Sequence, residues 1–348
     1  MPRRTGVRRG CHRLGGGPLT NQDPSSKPEA RSPKPDVDLT CRIGSLTLKN
    51  PVIAASGCFG YGTEYADLVD LATLGGVAVK GLFLSAREGH DIPRIVETPS
   101  GMLNAIGLQG IGVHRFVREK MPELRARGAV VLVNICGTTV DEYVELARIL
   151  SDVEGIAALE LNISCPNIKE GGITFGCSLG GTYDVVRSVR RVTQLAVIPK
   201  LTPNVADVAS FARAAAEAGA DAVSLVNTFL AMAIDIDTRR PLLSNIVGGL
   251  SGPAIRPIAV RMVYECHRAV NIPIIGMGGI ASARDAIEFM IAGASAVQVG
   301  TANFVDPLIW SKLLTGLAAY LERHQVGRVA DLVGTLDTST REREWISS

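Results

Sequence analysis

From Leu39 onward, short apolar β-branched runs alternate with Ala-, Arg- and Glu-rich segments of helical period, the pattern that repeated βα units leave in a sequence. Eight such runs stand out: PVIAA (51–55), GVAVK (76–80), AVVLVN (129–134), IAALELN (156–162), AVIPKL (196–201), AVSLVN (222–227), IPIIGM (272–277) and ASAVQVG (294–300). Helical period marks 63–72, 139–150, 181–194, 205–218, 253–269, 282–292 and 306–323. Eight strands in a chain of this length predict an α/β fold closed into a (β/α)8 TIM barrel, because a doubly wound open sheet has fewer strands and a glycine fingerprint after the first. LTCRIGSLTLKN (39–50) reads as a small N-terminal β-hairpin capping the barrel's bottom, and 83–104 as an inserted extended excursion at its mouth.

Composition changes the picture at the ends. Residues 1–36 hold six of the eighteen prolines, five glycines and only six apolar residues, too little apolar surface to offset the entropy of ordering. They are expected to form a disordered basic extension, followed by one barrel domain over 37–330 and a loosely ordered C-terminal tail over 331–348. The extension carries eight basic and three acidic residues of the chain's 36 and 34, so the body has 28 against 31 and is weakly acidic. A net-acidic body argues against nucleic-acid binding, which needs a clustered excess of Lys and Arg. The sequence has no uninterrupted apolar run of about 18 residues to span a bilayer and no apolar core of a secretory signal. Its seven cysteines are scattered without CxxC spacing, which predicts a reducing, cytoplasmic setting and no metal site.

In a barrel the active site is built at the C-terminal ends of the strands. Here those ends are polar: Ser56-Gly57, Lys80, Asn134, Asn162 with Cys165, Lys200, Asn227-Thr228, Gly278-Gly279 and Gly300-Thr301. The glycines after the last two strands sit where barrels bind phosphate through backbone N–H groups, and Gly252, in GGLSGPAI before a helix, supplies another. Lys80 and Lys200 end otherwise apolar strands, so each predicts an ammonium aimed into the mouth to bind an anion or form a Schiff base. The glycine-rich stretch LNISCPNIKEGGITFGCSLGG (161–181) has the length of a lid over the site. Its Cys165 reads equally as an inert buried thiol and as a nucleophile or proton acceptor.

Six segments, ASGCFGYG (55–62), the Lys80 strand, NAIGLQG (104–110), LNISCPN (161–167), GGLSGPAI (248–255) and GMGGI (276–280), resemble the class 1B dihydroorotate dehydrogenases, the catalytic flavin subunits of the fourth step of pyrimidine synthesis. The similarity spans residues 39–320. It implies FMN with its phosphate on Gly252, Gly278, Gly279, Gly300 and Thr301, and further flavin contacts from Ser56, Lys80, Gly81, Asn134, Asn162, Lys200 and Val226. Lys200 would lie at the pyrimidine edge of the flavin, where a cation favours the reduced ring. The resemblance assigns orotate to Lys80, Asn104, Ala105, Ile106, Gly107, Leu108, Asn162, Asn227 and Thr228. Asparagines suit the ring's amide groups and a lysine its carboxylate. Cys165 matches the catalytic base, which takes a proton from C5 of dihydroorotate while hydride leaves C6 for the flavin. Membrane-associated class 2 relatives carry serine there and an N-terminal apolar helix.

Class 1B membership further implies a homodimer joined to an electron-transfer subunit that carries FAD and a 2Fe–2S cluster and delivers electrons to NAD, a heterotetramer. The sequence departs from that pattern at Gly110-Ile111, where Asn-Pro is expected, and in the basic N-terminal extension. Competing readings are a fumarate-linked class 1A enzyme, a dihydropyrimidine dehydrogenase, a non-catalytic flavin-binding barrel, and a Schiff-base aldolase on Lys200. The last leaves Cys165 and the asparagines unexplained.

Overall fold

A computed structural model of the chain describes residues 37–163 and 175–339. Its central sheet has eight parallel strands: β1 (Val52–Ala54), β2 (Gly76–Leu82), β3 (Val131–Ile135), β4 (Ile156–Leu161), β5 (Ala196–Pro199), β6 (Val223–Leu225), β7 (Ile274–Met277) and β8 (Ala296–Val299). They coincide with the eight predicted runs. Neighbours in the chain are neighbours in the sheet, β8 returns to pair with β1, and a parallel bridge between Lys200 and Ser224 joins β5 to β6 and closes the ring. The fold is the expected TIM barrel.

Helices Val140–Ser151, Leu179–Arg190, Val208–Glu217, Arg256–Ala269, Ala283–Ala292 and Ile309–His324 occupy predicted helical stretches. Four of them start where a side-chain oxygen accepts an otherwise orphaned N–H three residues on: Thr139 from Glu142, Ser178 from Gly181, Asp207 from Ser210 and Ser282 from Asp285.

The stretch 63–72 departs from expectation. It forms two short 3-10 turns, Thr63–Tyr65 and Leu71–Thr73, because the Asp70 carboxylate accepts the Ala72 N–H and opens a new turn instead of continuing a helix. Conversely, Val113–Glu119 and Met121–Ala126 are helical where the periodicity had suggested nothing, with Pro122 at the start of the second.

Two cores separate along the strands with period two. Ile53, Ala78, Leu132, Ala158, Ile198, Ala222, Ile275 and Ala296 pack inside the barrel with Cys41, Ile43 and Leu48 of the hairpin Cys41–Ile43/Leu46–Leu48, which plugs the floor as predicted. The alternate positions, such as Val77, Val133, Leu159, Val197 and Val297, face the helices. Four of the eight interior residues are alanine, so the barrel axis is narrow and the hairpin's side chains fill what remains.

The predicted excursion contains a hairpin, Ile95–Thr98 with Gly101–Asn104, which pairs onward with Gly248–Ser251 and Phe229–Ala231 in a four-stranded antiparallel sheet. Loops after β2 and β6 thus fuse into one structure. Beyond position 330, Leu332 is buried, and the N–H groups of Gly334 and Leu336 donate to the carbonyls of Met290 and Ile291, so barrel packing continues through Leu336.

Candidate functional site

Continuing the inward parity toward the C-terminal ends of the strands replaces alanine, leucine and isoleucine by Lys80, Asn134, Glu160, Asn162, Lys200, Ser224 and Gln298. A cavity of about 530 Å³ opens above this layer, within the range of small-molecule sites. Of the residues singled out from the sequence, Ser56, Lys200, Val226, Asn227 and Thr228 line its inner part and Gly252, Gly278, Gly279, Gly300 and Thr301 another part of its wall. Ile255, Met277 and Ile280 give it an apolar body.

The glycines are required by geometry at the closest point. Gly279 has φ +75°, and a Cβ there would lie 2.7 Å from the Gly252 carbonyl oxygen and 2.9 Å from Arg256 Cβ. Gly252, at φ +97°, would set its own Cβ 2.7 Å from Gly101 Cα. The two loops therefore meet backbone to backbone, leaving peptide N–H groups instead of side chains along this wall. Asp285 fastens the arrangement: its carboxylate accepts from the Ala281 N–H and the Ser282 hydroxyl and pairs with Arg256. Thr301 donates its hydroxyl to Ser251 at 2.8 Å.

Under the cavity lies a buried polar layer centred on Glu160, which the sequence reading passed over as part of an apolar strand. Glu160 is fully buried. Its carboxylate accepts from Asn134 Nδ2 (2.7 Å), Gln298 Nε2 (2.7 Å), Ser224 Oγ (2.9 Å) and Ser56 Oγ (3.1 Å). Lys200 Nζ in turn donates to Ser56 Oγ at 3.1 Å. Burial pushes against ionisation of Glu160, but the Lys200 cation and the hydrogen bonds from Gln298, Asn134 and Ser224 together outweigh it and hold the carboxyl below the usual range. Strand parity was the available signal: two residues above interior Ala158, Ala222 and Ala296, side chains must again point inward.

The remaining predicted residues are not among those that line this cavity. Asn162 Nδ2 donates to Asn134 Oδ1 (3.3 Å), and a Cβ on Gly81 would lie 2.8 Å from Cys136 Sγ, so Gly81, Asn134 and Asn162 form one packed cluster. Lys80 is half-buried on β2, and desolvation holds its ammonium below the usual lysine range, assisted by Arg94 and opposed by Glu64. Asn104 donates to the Gly249 carbonyl (3.2 Å), Ala105 N–H to Arg94 (2.8 Å), and Ile106 accepts from the His90 N–H (3.1 Å). Gly107 and Leu108 border a separate cavity of about 350 Å³ with Arg87 and His90. Cys165 and the middle of the expected lid, residues 164–174, fall outside the described residues, while the lid's end at 179–181 forms the start of the helix Leu179–Arg190. Cys58, which lines the main cavity, has its thiol pushed up to about 11 by burial against the opposing pull of Lys200, too high for a base near neutrality.

Chemically, this cavity offers a glycine-rich wall that suits an anion, an apolar slot for a planar ring, and one cation, Lys200. With Nζ committed to Ser56 in front of a carboxylate, Lys200 is arranged as a charge and not as a free amine nucleophile. Among the described residues, no cluster of three or more His, Cys, Asp or Glu side chains is placed to hold a metal ion, and no helix is long and apolar enough to cross a membrane.

The sequence model of one protein family, dihydroorotate dehydrogenase, matches residues 38–321. Similar curated proteins include one from Bacteroides thetaiotaomicron (51% identical) and one from Phocaeicola vulgatus (53% identical). A third, from Pelobacter propionicus, is 54% identical. Each alignment covers 86% of this chain and 99% of the relative, and each relative is named dihydroorotate dehydrogenase B (NAD(+)), catalytic subunit.

Proposed function

The chain belongs to the dihydroorotate dehydrogenase family, and on that premise we propose that it oxidises (S)-dihydroorotate to orotate with bound FMN and passes the electrons through a partner subunit to NAD. The observation that carries the cofactor assignment is the cavity at the barrel mouth that joins a glycine-rich wall, an apolar slot and Lys200. Such a cavity fits a flavin mononucleotide: the wall suits a phosphate, the slot a planar ring and the lysine its electron-rich edge. Gly252, Gly278, Gly279, Gly300 and Thr301 would hold the phosphate, while Ser56, Lys80, Gly81, Asn134, Asn162, Lys200 and Val226 would hold the remainder. When bound, FMN supplies the hydride acceptor that no side chain can provide.

Lys80 meets the substrate carboxylate, and Asn104, Ala105, Ile106, Gly107, Leu108, Asn162, Asn227 and Thr228 surround the pyrimidine ring. Cys165 removes the proton at C5. The relatives' designation as NAD-linked catalytic subunits supports a second subunit, which in this reading carries FAD and a 2Fe–2S cluster in a cytoplasmic heterotetramer.

Anaerobic mixing of the purified, yellow protein with dihydroorotate should bleach the visible flavin band. A band that persists would direct attention to another dihydropyrimidine, and a colourless protein that FMN cannot reconstitute would sink the flavin assignment. Gly279→Ala forces a side chain to φ +75° and against the Gly252 carbonyl. Left-handed backbone alone costs an L-residue about 1–2 kcal/mol. FMN should therefore dissociate about tenfold more readily, read from the fluorescence of released flavin; retention equal to the parent's would remove this wall from the phosphate site.

A further inference from the structure

Glu160 remains unused by the reaction as proposed, yet four side-chain donors converge on its carboxylate beneath the cavity. Burying a carboxylate is costly, and well-packed apolar residues in place of a buried ion pair are often as stable or more so. The interior positions one layer down hold alanine at β4, β6 and β8, so the barrel axis readily accepts small apolar residues. At the Glu160 layer the chain instead spends four hydrogen-bond donors on one anion, directly behind Lys200. Lys200 is the one cation among the described residues lining the cavity, whose other charged residues, Glu97 and Asp306, are acids.

Gln298 narrows the reading. Its Nε2 is fixed on Glu160, while its Oε1 is buried and without a hydrogen-bond partner. Its Nε2 faces the carboxylate, which accepts from it at 2.7 Å. The bonds run in one sense from the ammonium through the Ser56 hydroxyl to the carboxylate: Lys200 donates to Ser56, and Ser56 donates to Glu160.

We propose that Glu160 is a positioning residue, the fixed counter-anion that holds Lys200 at the cofactor through Ser56 and limits how strongly that ammonium favours the reduced over the oxidised flavin. The proposal rests on FMN being the occupant of the cavity. Two properties of the arrangement separate cleanly by mutation. Glu160→Gln removes the charge but keeps a carbonyl that can accept from Ser56, so Lys200 stays in place with its charge no longer offset. Ser56→Ala keeps both charges and removes the hydroxyl between them, so Lys200 loses its tether.

The experiment is the midpoint potential of FMN bound to the purified protein, without substrate, by equilibration with a reference dye. Glu160→Gln should raise the preference for reduced over oxidised FMN about tenfold, which for a two-electron couple is about 30 mV. Glu160→Asp, which retains the charge, should stay near the parent. Ser56→Ala should lower the potential, and it should have no further effect once Lys200 is methionine. A Glu160→Gln potential equal to or below the parent's overturns the counter-anion role. Should that variant fail to fold, an unchanged potential in Ser56→Ala, or one that still falls in the Lys200→Met background, overturns the tether. Because no substrate is present, these outcomes do not depend on whether dihydroorotate is the reductant, and loss of FMN from the parent protein would condemn the underlying reading instead.

Discussion

Cys165→Ala should slow the reduction of bound flavin by dihydroorotate by about 10²–10⁴-fold, the usual contribution of a positioned general base, while FMN stays bound. Dehydrogenation across C5 and C6 needs a base at one carbon and an acceptor at the other, and Cys165 is the candidate base. The described residues that flank it are held in place: Tyr143 Oη donates to the Asn162 carbonyl at 2.7 Å, and the Gly176 N–H to the Ile163 carbonyl at 2.8 Å. Three of the described thiols are poor substitutes. Burial raises Cys41 and Cys266 to about 12 and Cys58 to about 11. Cys165→Ser should fall between parent and alanine with its optimum displaced to higher pH, since a hydroxyl gives up its proton less readily than a thiol. Stopped-flow recording of flavin bleaching over a pH series checks both. Parent-like kinetics in the alanine variant would take Cys165 out of the mechanism.

Lys80→Ala should weaken orotate binding by about 2 kcal/mol or more, roughly thirtyfold in Kd, the cost of leaving a desolvated charge without its partner. FMN affinity should change far less. The half-buried site also gives this contact a pH signature. Desolvation lowers the Lys80 pKa, with Arg94 acting in the same direction and Glu64 against it. The ammonium is the binding form, so orotate affinity is full below that lowered pKa and declines as pH rises through it, at lower pH than an exposed lysine would dictate. The Lys80→Ala protein should lack this alkaline limb. Orotate titration across pH measures it, and equal affinity in the two proteins would cancel the carboxylate role.

Much of this molecule is written in its order of residues. β-branched runs such as GVAVK and ASAVQVG have no polar alternation, which only a strand covered on both faces tolerates, and eight of them specify a closed parallel sheet. Local capping residues likewise set the helix starts at Thr139, Ser178, Asp207 and Ser282. Where local chemistry competes with periodicity the reading failed: Asp70 caps its own short turn and breaks the expected helix at 63–72, and the two helices over 113–126, split near Pro122, went unread.

Strand ends behave similarly. The glycines at 252, 278, 279 and 300 and the polar ends at Ser56, Lys200, Asn227 and Thr228 converge on one cavity because parallel strands in a barrel deliver all their C-terminal ends to one rim. The sequence by itself thus determined the barrel, its capped floor and the rim that carries the chemistry, since each follows from period, capping or strand direction. Tertiary structure alone decided that Glu160, inside a run that reads as apolar, becomes the anion at the centre of the barrel. Its donors come from positions 56, 134, 224 and 298, brought together only when the sheet closes, and a buried charge is tolerable only where such partners meet it.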